Sequence, residues 1–242
     1  MIEFAGSPEK ALTYAFYQHP KKVRSKLEPI PDSITVSSHM KKSLGARPLI
    51  YPSPVLIIGT YDKQGKPDVM TASWGGVASS QPPCVAISIR QQALSYQNLL
   101  DRKAFTISIP TKKYVKEVDY IGLVSGRTTD KFGASKLTAV KSKLVDAPYI
   151  KEFPLILECQ VIQTSNLGMH TMFIGEVLDA KADEQILGDD GSVDIKKLQP
   201  LIYTPDTQEY YGIGDFIANV FSAGRSMSLA SDSGVSRKKR DN

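Results

Sequence analysis

The sequence predicts a mainly β protein with inserted helices, folded as a β-barrel in one domain. Three observations predict it. The chain holds about seven short runs rich in β-branched residues, most of them joined at hairpin spacing. Two or three segments of helical period interrupt them. Hairpin spacing makes the strand pairing mostly antiparallel, as in a barrel.

The elements follow in order. Residues 1–39 differ from the rest and read as a poorly ordered appendage, natural or artificial. Glu28-Pro-Ile-Pro-Asp32 breaks any regular element there, and Ser37-Ser-His-Met40 resembles a cloning junction. The main domain is expected over 40–225. Pro48–Pro54 is an extended, proline-fixed lead-in. Val55–Tyr61 is a β-rich run, Asp62–Lys66 a hairpin turn with glycine where positive φ is needed, and Asp68–Ser73 the returning strand. Cys84–Arg90 alternates, with Val85, Ile87 and Ile89 on one face. Gln92–Leu100 has helical spacing, Ala104–Ile109 reads as a strand, and Lys112–Tyr120 as a second helix. Gly122–Gly133 is a polar loop. Leu155–Thr164 and Thr171–Leu178 are two clear strands joined by Asn166–His170. Gly188–Gly191 is a turn and Leu201–Thr204 a short strand. A C-terminal helix is expected over Phe216–Phe221, and 226–242 reads as a disordered tail ending in Arg237-Lys-Lys-Arg240.

Composition excludes several classes. The net charge is +5, but 1–39 carry +1 and 228–242 carry +2. The nearly balanced middle is not a phosphate-backbone footprint, so no nucleic acid is expected. No apolar run reaches the roughly 18 residues of a membrane helix, and the N-terminus lacks the basic-then-apolar pattern of a secretory signal. The expected location is cytoplasmic, without membrane attachment. Cys84 and Cys159 lie far apart and read as buried thiols, with a disulfide left open. No zinc spacing, HExxH, P-loop or GxSxG occurs, so no metal and no catalytic nucleophile is assigned. Gly212-Ile-Gly-Asp-Phe-Ile217 lacks the third glycine and the βαβ context of a dinucleotide fingerprint.

Asp68–Arg90 is the informative stretch. It holds the only tryptophan, Trp74, between hydroxyl residues and a glycine pair. Small residues, hydroxyls and one flat aromatic suit a backbone that approaches a planar, polar ligand.

Several motifs carry a resemblance. They are Tyr51-Pro-Ser-Pro-Val55, Lys66-Pro-Asp-Val-Met-Thr-Ala-Ser-Trp-Gly-Gly76, Pro82-Pro-Cys-Val-Ala-Ile-Ser-Ile-Arg90 and Val124-Ser-Gly-Arg-Thr-Thr-Asp-Lys-Phe132. In this order they resemble the flavin reductase-like family, and within it the flavoredoxin-type members. The resemblance covers roughly 40–225. It implies a Greek-key, FMN-binding split barrel, a homodimer, and FMN near the subunit interface. It also implies an FMN-dependent oxidoreductase passing electrons from NAD(P)H, or from a protein donor, through the flavin. A non-catalytic binder of flavin or another planar ligand on the same barrel is the alternative, because a fold does not fix an activity.

The resemblance carries the site residue by residue. Trp74 offers a flat face to the isoalloxazine. Thr71, Ala72 and Ser73 are small enough for backbone N–H groups to reach the ring. Ser88 and Arg90 end a strand where a phosphate would sit, and Ser95 adds a hydroxyl near a helix start. Lys131 pairs with phosphate or with charge on reduced flavin. His170 is placed at the pyrimidine edge, and Tyr203 over the ring or ribityl chain. Asp68 departs from the family, which commonly has Asn there; an ionised carboxylate accepts hydrogen bonds and cannot donate them.

Overall fold

The computed structural model describes residues 40–220 and 222–223. The expected appendage over 1–39 and the expected tail over 226–242 lie outside the described residues. The chain divides between Ala46 and Arg47 into two units, and every element named below belongs to the second.

The first half supplies β1 (Ser53–Pro54), β2 (Leu56–Tyr61), β3 (Pro67–Ala72), β4 (Gly75–Ser80), β5 (Pro83–Arg90), α1 (Leu94–Arg102) and β6 (Ala104–Ile109). A 3₁₀ turn at Lys112–Tyr114 leads into α2 (Val115–Leu123), followed by α3 (Lys131–Ser135) and the short pair β7 (Ala139–Lys141) and β8 (Pro148–Ile150). The long hairpin of β9 (Leu155–Leu167) and β10 (His170–Ala182) comes next. Last are α4 (Ile195–Leu198), β11 (Ile202–Thr204) and β12 (Glu209–Tyr211).

Seven of the strands make one antiparallel sheet in the order β3-β2-β6-β9-β10-β5-β4. Its ends approach each other where β3 passes into β4: the Ser88 N–H on β5 donates to the Trp74 carbonyl at 2.8 Å. The period-2 alternation of β2 explains the two cores. Leu56 and Ile58 point into the barrel with Val85, Ile87, Ile89, Phe105 and Phe173. Ile57 points the other way, with Val55 and Val69, onto Val118 and Ile121 of α2 and Phe132 of α3. Each such fully buried Ile or Phe contributes about 1.5–3 kcal/mol.

Local chemistry sets the connections. The Asp62 carboxylate accepts from the N–H groups of Gln64 and Lys66 at 2.9 and 2.8 Å, and Gly65 takes φ +81°. This fixes the β2–β3 hairpin, and so the register that puts Asp68 opposite Thr60. On α1, Asn98 Nδ2 donates to Thr60 Oγ1 at 3.0 Å, which pins the helix to β2.

Three expectations need correction. Gly75–Ser80 is a strand that its glycines and serines did not advertise. His170 opens β10 and does not lie in the connecting loop. No helix forms over the described residues 216–220. Phe216, Ile217 and Val220 are exposed, and a short helix without a packed apolar face gains too little to offset its nucleation cost. The two cysteines are free, buried thiols, and burial pushes Cys159 up to about 12, with Glu158 and Cys84 adding to the effect.

Candidate functional site

The site is built on the outer edge of β3. This strand pairs with β2 alone among the described strands, so its other edge has no strand partner. The Val69 carbonyl points along that edge and accepts from Lys131 Nζ at 2.8 Å. In an antiparallel ladder, alternate residues direct both backbone groups to the same side. Thr71 therefore presents its N–H on the same edge as the Val69 carbonyl. The Thr71 side chain is held from the helix layer: Oγ1 donates to the Val118 carbonyl at 2.6 Å. Gly122 lies so close to Thr71 that a Cβ there would stand 3.4 Å from the threonine's own.

Behind this edge is a buried polar cluster. Asp68, Ser95 and Lys131 are 5%, 1% and 6% exposed. Ser95 Oγ donates to Asp68 Oδ2 at 3.0 Å. Gly126 packs against the carboxylate so tightly that a Cβ would fall 2.2 Å from Asp68 Oδ1. Burial raises the Asp68 pKa, while the Lys131 charge and the Ser95 hydrogen bond oppose the rise. Burial likewise lowers the Lys131 pKa, and Asp68 opposes it. Each charge is costly alone and is kept by the other.

The remaining candidates gather around Trp74. Its carbonyl holds Ser88, and its ring sits 6.3 Å from that of Tyr203, tilted by 51°. Tyr203 in turn meets Tyr210 at 6.2 Å. Arg90 and His170 are register partners at the ends of β5 and β10. Burial and then the Arg90 charge lower the His170 pKa, so the imidazole is neutral at pH 7. Such a group contributes stability above its unfolded value, and the contribution is lost as pH falls through its folded value. An NMR titration is expected to find His170 below about 6.5, and Arg90→Gln is expected to move it upward. An unchanged midpoint in the variant would remove Arg90 as a cause.

The structure thus joins Asp68, Ser95 and Lys131 in one cluster, Arg90 and His170 in a second, and Trp74, Ser88 and Tyr203 in a third. Ala72 closes β3 and Ser73 follows it; Ala72 packs into the barrel, so any ligand contact from Ala72 comes from its backbone. Ser95 has its hydroxyl committed to Asp68 and is not a spare phosphate donor. At the same place, α1 begins at Leu94 behind Ala93, which supplies no side-chain cap, and its first turn has no acidic residue. Three contributors were missed from sequence: Gly126, Gly122 and Tyr210. The Tyr210 hydroxyl donates to Asp119 Oδ1 at 3.3 Å; burial, then Asp119, raise its pKa to about 12. Gly126 stood inside a quoted motif, and only its contact with Asp68 gives it meaning.

These groups fit a flavin nucleotide. A strand edge without a strand partner, carrying the Thr71 N–H beside the Lys131 ammonium, suits a heteroaromatic ring, and Trp74 supplies a flat apolar neighbour. Arg90 and the uncapped α1 terminus suit a phosphate. Among the described residues no group of three His, Cys, Asp or Glu converges as a metal site.

The fold is that of the split-barrel, flavin reductase-like proteins. Residues 47–212 match the model of the flavin reductase like domain, and the chain belongs to that family. The flavoredoxin of Desulfovibrio vulgaris (Miyazaki F) is 48% identical with a TM-score of 0.74, over 77% of this chain and all of that one. A protein of Archaeoglobus fulgidus is 35% identical over 113 residues, 47% of this chain and 64% of its own length. The chain therefore spans under two thirds of that relative. The high molecular weight rubredoxin of Moorella thermoacetica is 33% identical over 104 residues, 42% of this chain and 44% of that protein. The mainly antiparallel split barrel expected from the sequence is the fold observed.

Proposed function

We propose that this protein binds FMN and works as an oxidoreductase of the flavoredoxin or flavin reductase type. The observation that carries the reading is the β3 edge without a strand partner, where the Thr71 N–H faces the same side as the Val69 carbonyl that Lys131 holds, a few residues from Trp74. FMN, when bound, supplies the acceptance and release of electrons. The chain's residues do the rest. Thr71, Ala72 and Ser73 offer backbone groups to the ring, and Trp74 and Tyr203 cover it. Ser88, Arg90 and the N-terminus of α1 take the phosphate end. Lys131 brings positive charge to the ring edge, Asp68 tempers that charge, and the neutral His170 donates or accepts at the pyrimidine side. No residue acts as a nucleophile.

The electron source is NAD(P)H or a redox protein. The similarity to a flavoredoxin and to part of a high molecular weight rubredoxin supports a protein route. A homodimer in the cytoplasm completes the reading. Ile162, Leu167, Met169 and Leu178 are exposed apolar side chains of the β9–β10 hairpin, which a second copy would cover. No helix among the described residues is long and apolar enough to cross a membrane.

Absorbance spectroscopy tests the proposal. The full-length protein mixed with FMN and dialysed is expected to stay yellow, and the colour is expected to bleach with NAD(P)H or a reduced carrier protein. Retained FMN with no bleaching by any donor would favour the non-catalytic binder; no retained or reducible FMN would end the proposal.

A further inference from the structure

The α2–α3 segment, with the turn before it and the loop within it, carries basic side chains that the flavin site does not use. Lys113, Lys116, Arg127 and Lys136 are all exposed. Lys116 and Lys136 line one cleft between the two helices, together with Tyr120. None of the four has a carboxylate within 4.0 Å among the described residues. Three carboxylates stand among them and keep their charge, so the four basic groups exceed the acidic ones by one. Glu117 lines the same cleft. Asp119 holds the Tyr210 hydroxyl, and Asp130 caps α3 by accepting from the Gly133 N–H. Leu123 ends α2 with 68% of its surface exposed. Basic residues with an exposed leucine and a half-buried tyrosine have the make-up of a protein-docking patch, in which charge steers the encounter and apolar contact holds it.

The patch also sits directly over the site. Val118 of α2 accepts from Thr71, and Lys131, the first residue of α3, donates to Val69. A partner on this face is separated from the β3 edge by one helix layer, about 10 Å.

We infer that this α2–α3 face docks an acidic electron-carrier protein and delivers it over the β3 edge. The inference rests on the flavin reading above, because the face is assigned its purpose by what lies beneath it. A solvated lysine surface needs no such placement and would show no preference between this face and any other.

The test is a binding measurement on the FMN-loaded full-length protein, with a purified acidic rubredoxin as the probe. Lys116→Glu with Lys136→Glu reverses two charges in the cleft. Lys143→Glu with Lys196→Glu makes the same change of net charge in the β7–β8 loop and in α4. The first pair is expected to weaken rubredoxin binding about tenfold or more, while the control pair stays within about twofold. Raising salt from about 20 to about 200 mM is expected to weaken binding to the wild type and to leave the first pair nearly unaffected. Equal losses in both pairs would mean general charge attraction and overturn the docking site. So would wild-type protein that keeps FMN yet binds no rubredoxin at low salt. Protein that binds rubredoxin through Lys116 and Lys136 but cannot retain FMN would keep the docking surface and overturn the flavin reading beneath it.

Discussion

Asp68→Asn is expected to tighten FMN binding about tenfold, or about 1.4 kcal/mol. In the wild type, Lys131 is partly neutralised by a buried carboxylate of the same chain. The amide keeps the shape and can still accept from Ser95, but it returns the full Lys131 charge to the ligand. The free protein is expected to lose stability at the same time, since Lys131 then stays buried without a counter-charge. Thermal melts with and without FMN check both effects: the gap between them should widen in the variant. The redox potential of bound FMN should also rise, because an electron-rich reduced ring no longer faces a carboxylate. Equal melting gaps and equal potentials would show that Asp68 does not act on the flavin.

The pH dependence has a definite sign. Asp68 has a folded pKa above its unfolded value. Its contribution to stability is full below the unfolded value and is lost as pH rises through the folded one. Lys131 has a folded pKa below its unfolded value. Its contribution is full above the unfolded value and is lost as pH falls through the folded one. At neutral pH both groups are outside their favourable windows, and mutual attraction offsets part of the cost. Without Asp68, Lys131 is pushed further down, so stability of the free variant should climb more steeply from neutral toward alkaline pH than that of the wild type.

Lys181→Met is expected to carry the largest stability cost away from the site. Glu158 on β9 is fully buried, and its Oε1 has no hydrogen-bond partner among the described residues. Its other oxygen depends on Lys181 of β10, which also donates to Asp179 Oδ2 at 2.7 Å. Removing the lysine leaves a buried carboxylate with no counter-charge, a change that costs about 3–5 kcal/mol. The low end is expected, because the Lys181 side chain is 37% exposed and water can replace it. Denaturant unfolding checks the figure, and adding Glu158→Gln should recover most of the loss. A cost under about 0.5 kcal/mol, typical of an ordinary surface substitution, would mean that Glu158 does not rely on Lys181.

Much of the barrel was legible because its strands alternate strongly. Val85, Ile87 and Ile89 lie on one face as their spacing requires, and all three are buried. What escaped had no local signal. Gly75–Ser80 is a strand because β5 lies beside it, and its only large apolar residue, Val77, is 84% exposed. β9 runs three residues beyond its expected end, through the mostly exposed Ser165–Leu167, and β10 runs four residues beyond its own, through Asp179–Ala182, which pairs with Leu155–Glu158. The site was legible as a set of residue types and illegible as an arrangement. Nothing in the spacing says that Ser95 bonds Asp68, or that Arg90 lies opposite His170. Both facts depend on register and on how the sheet rolls, which single-sequence periodicity does not contain.

The strand order has a consequence for how the chain is made. β2–β3 and β4–β5 are local hairpins, yet within the sheet they are joined through β6, β9 and β10. During synthesis both hairpins emerge long before β10, which ends at Ala182. Until then the partner edge of β5 is exposed, and the edge of β6 that will receive β9 is open. Such delayed, non-local pairing slows folding and leaves nascent edges open to pairing with other chains. Chains that stop before the β9–β10 hairpin should therefore aggregate, whereas chains that stop soon after β12 retain every strand of the main sheet.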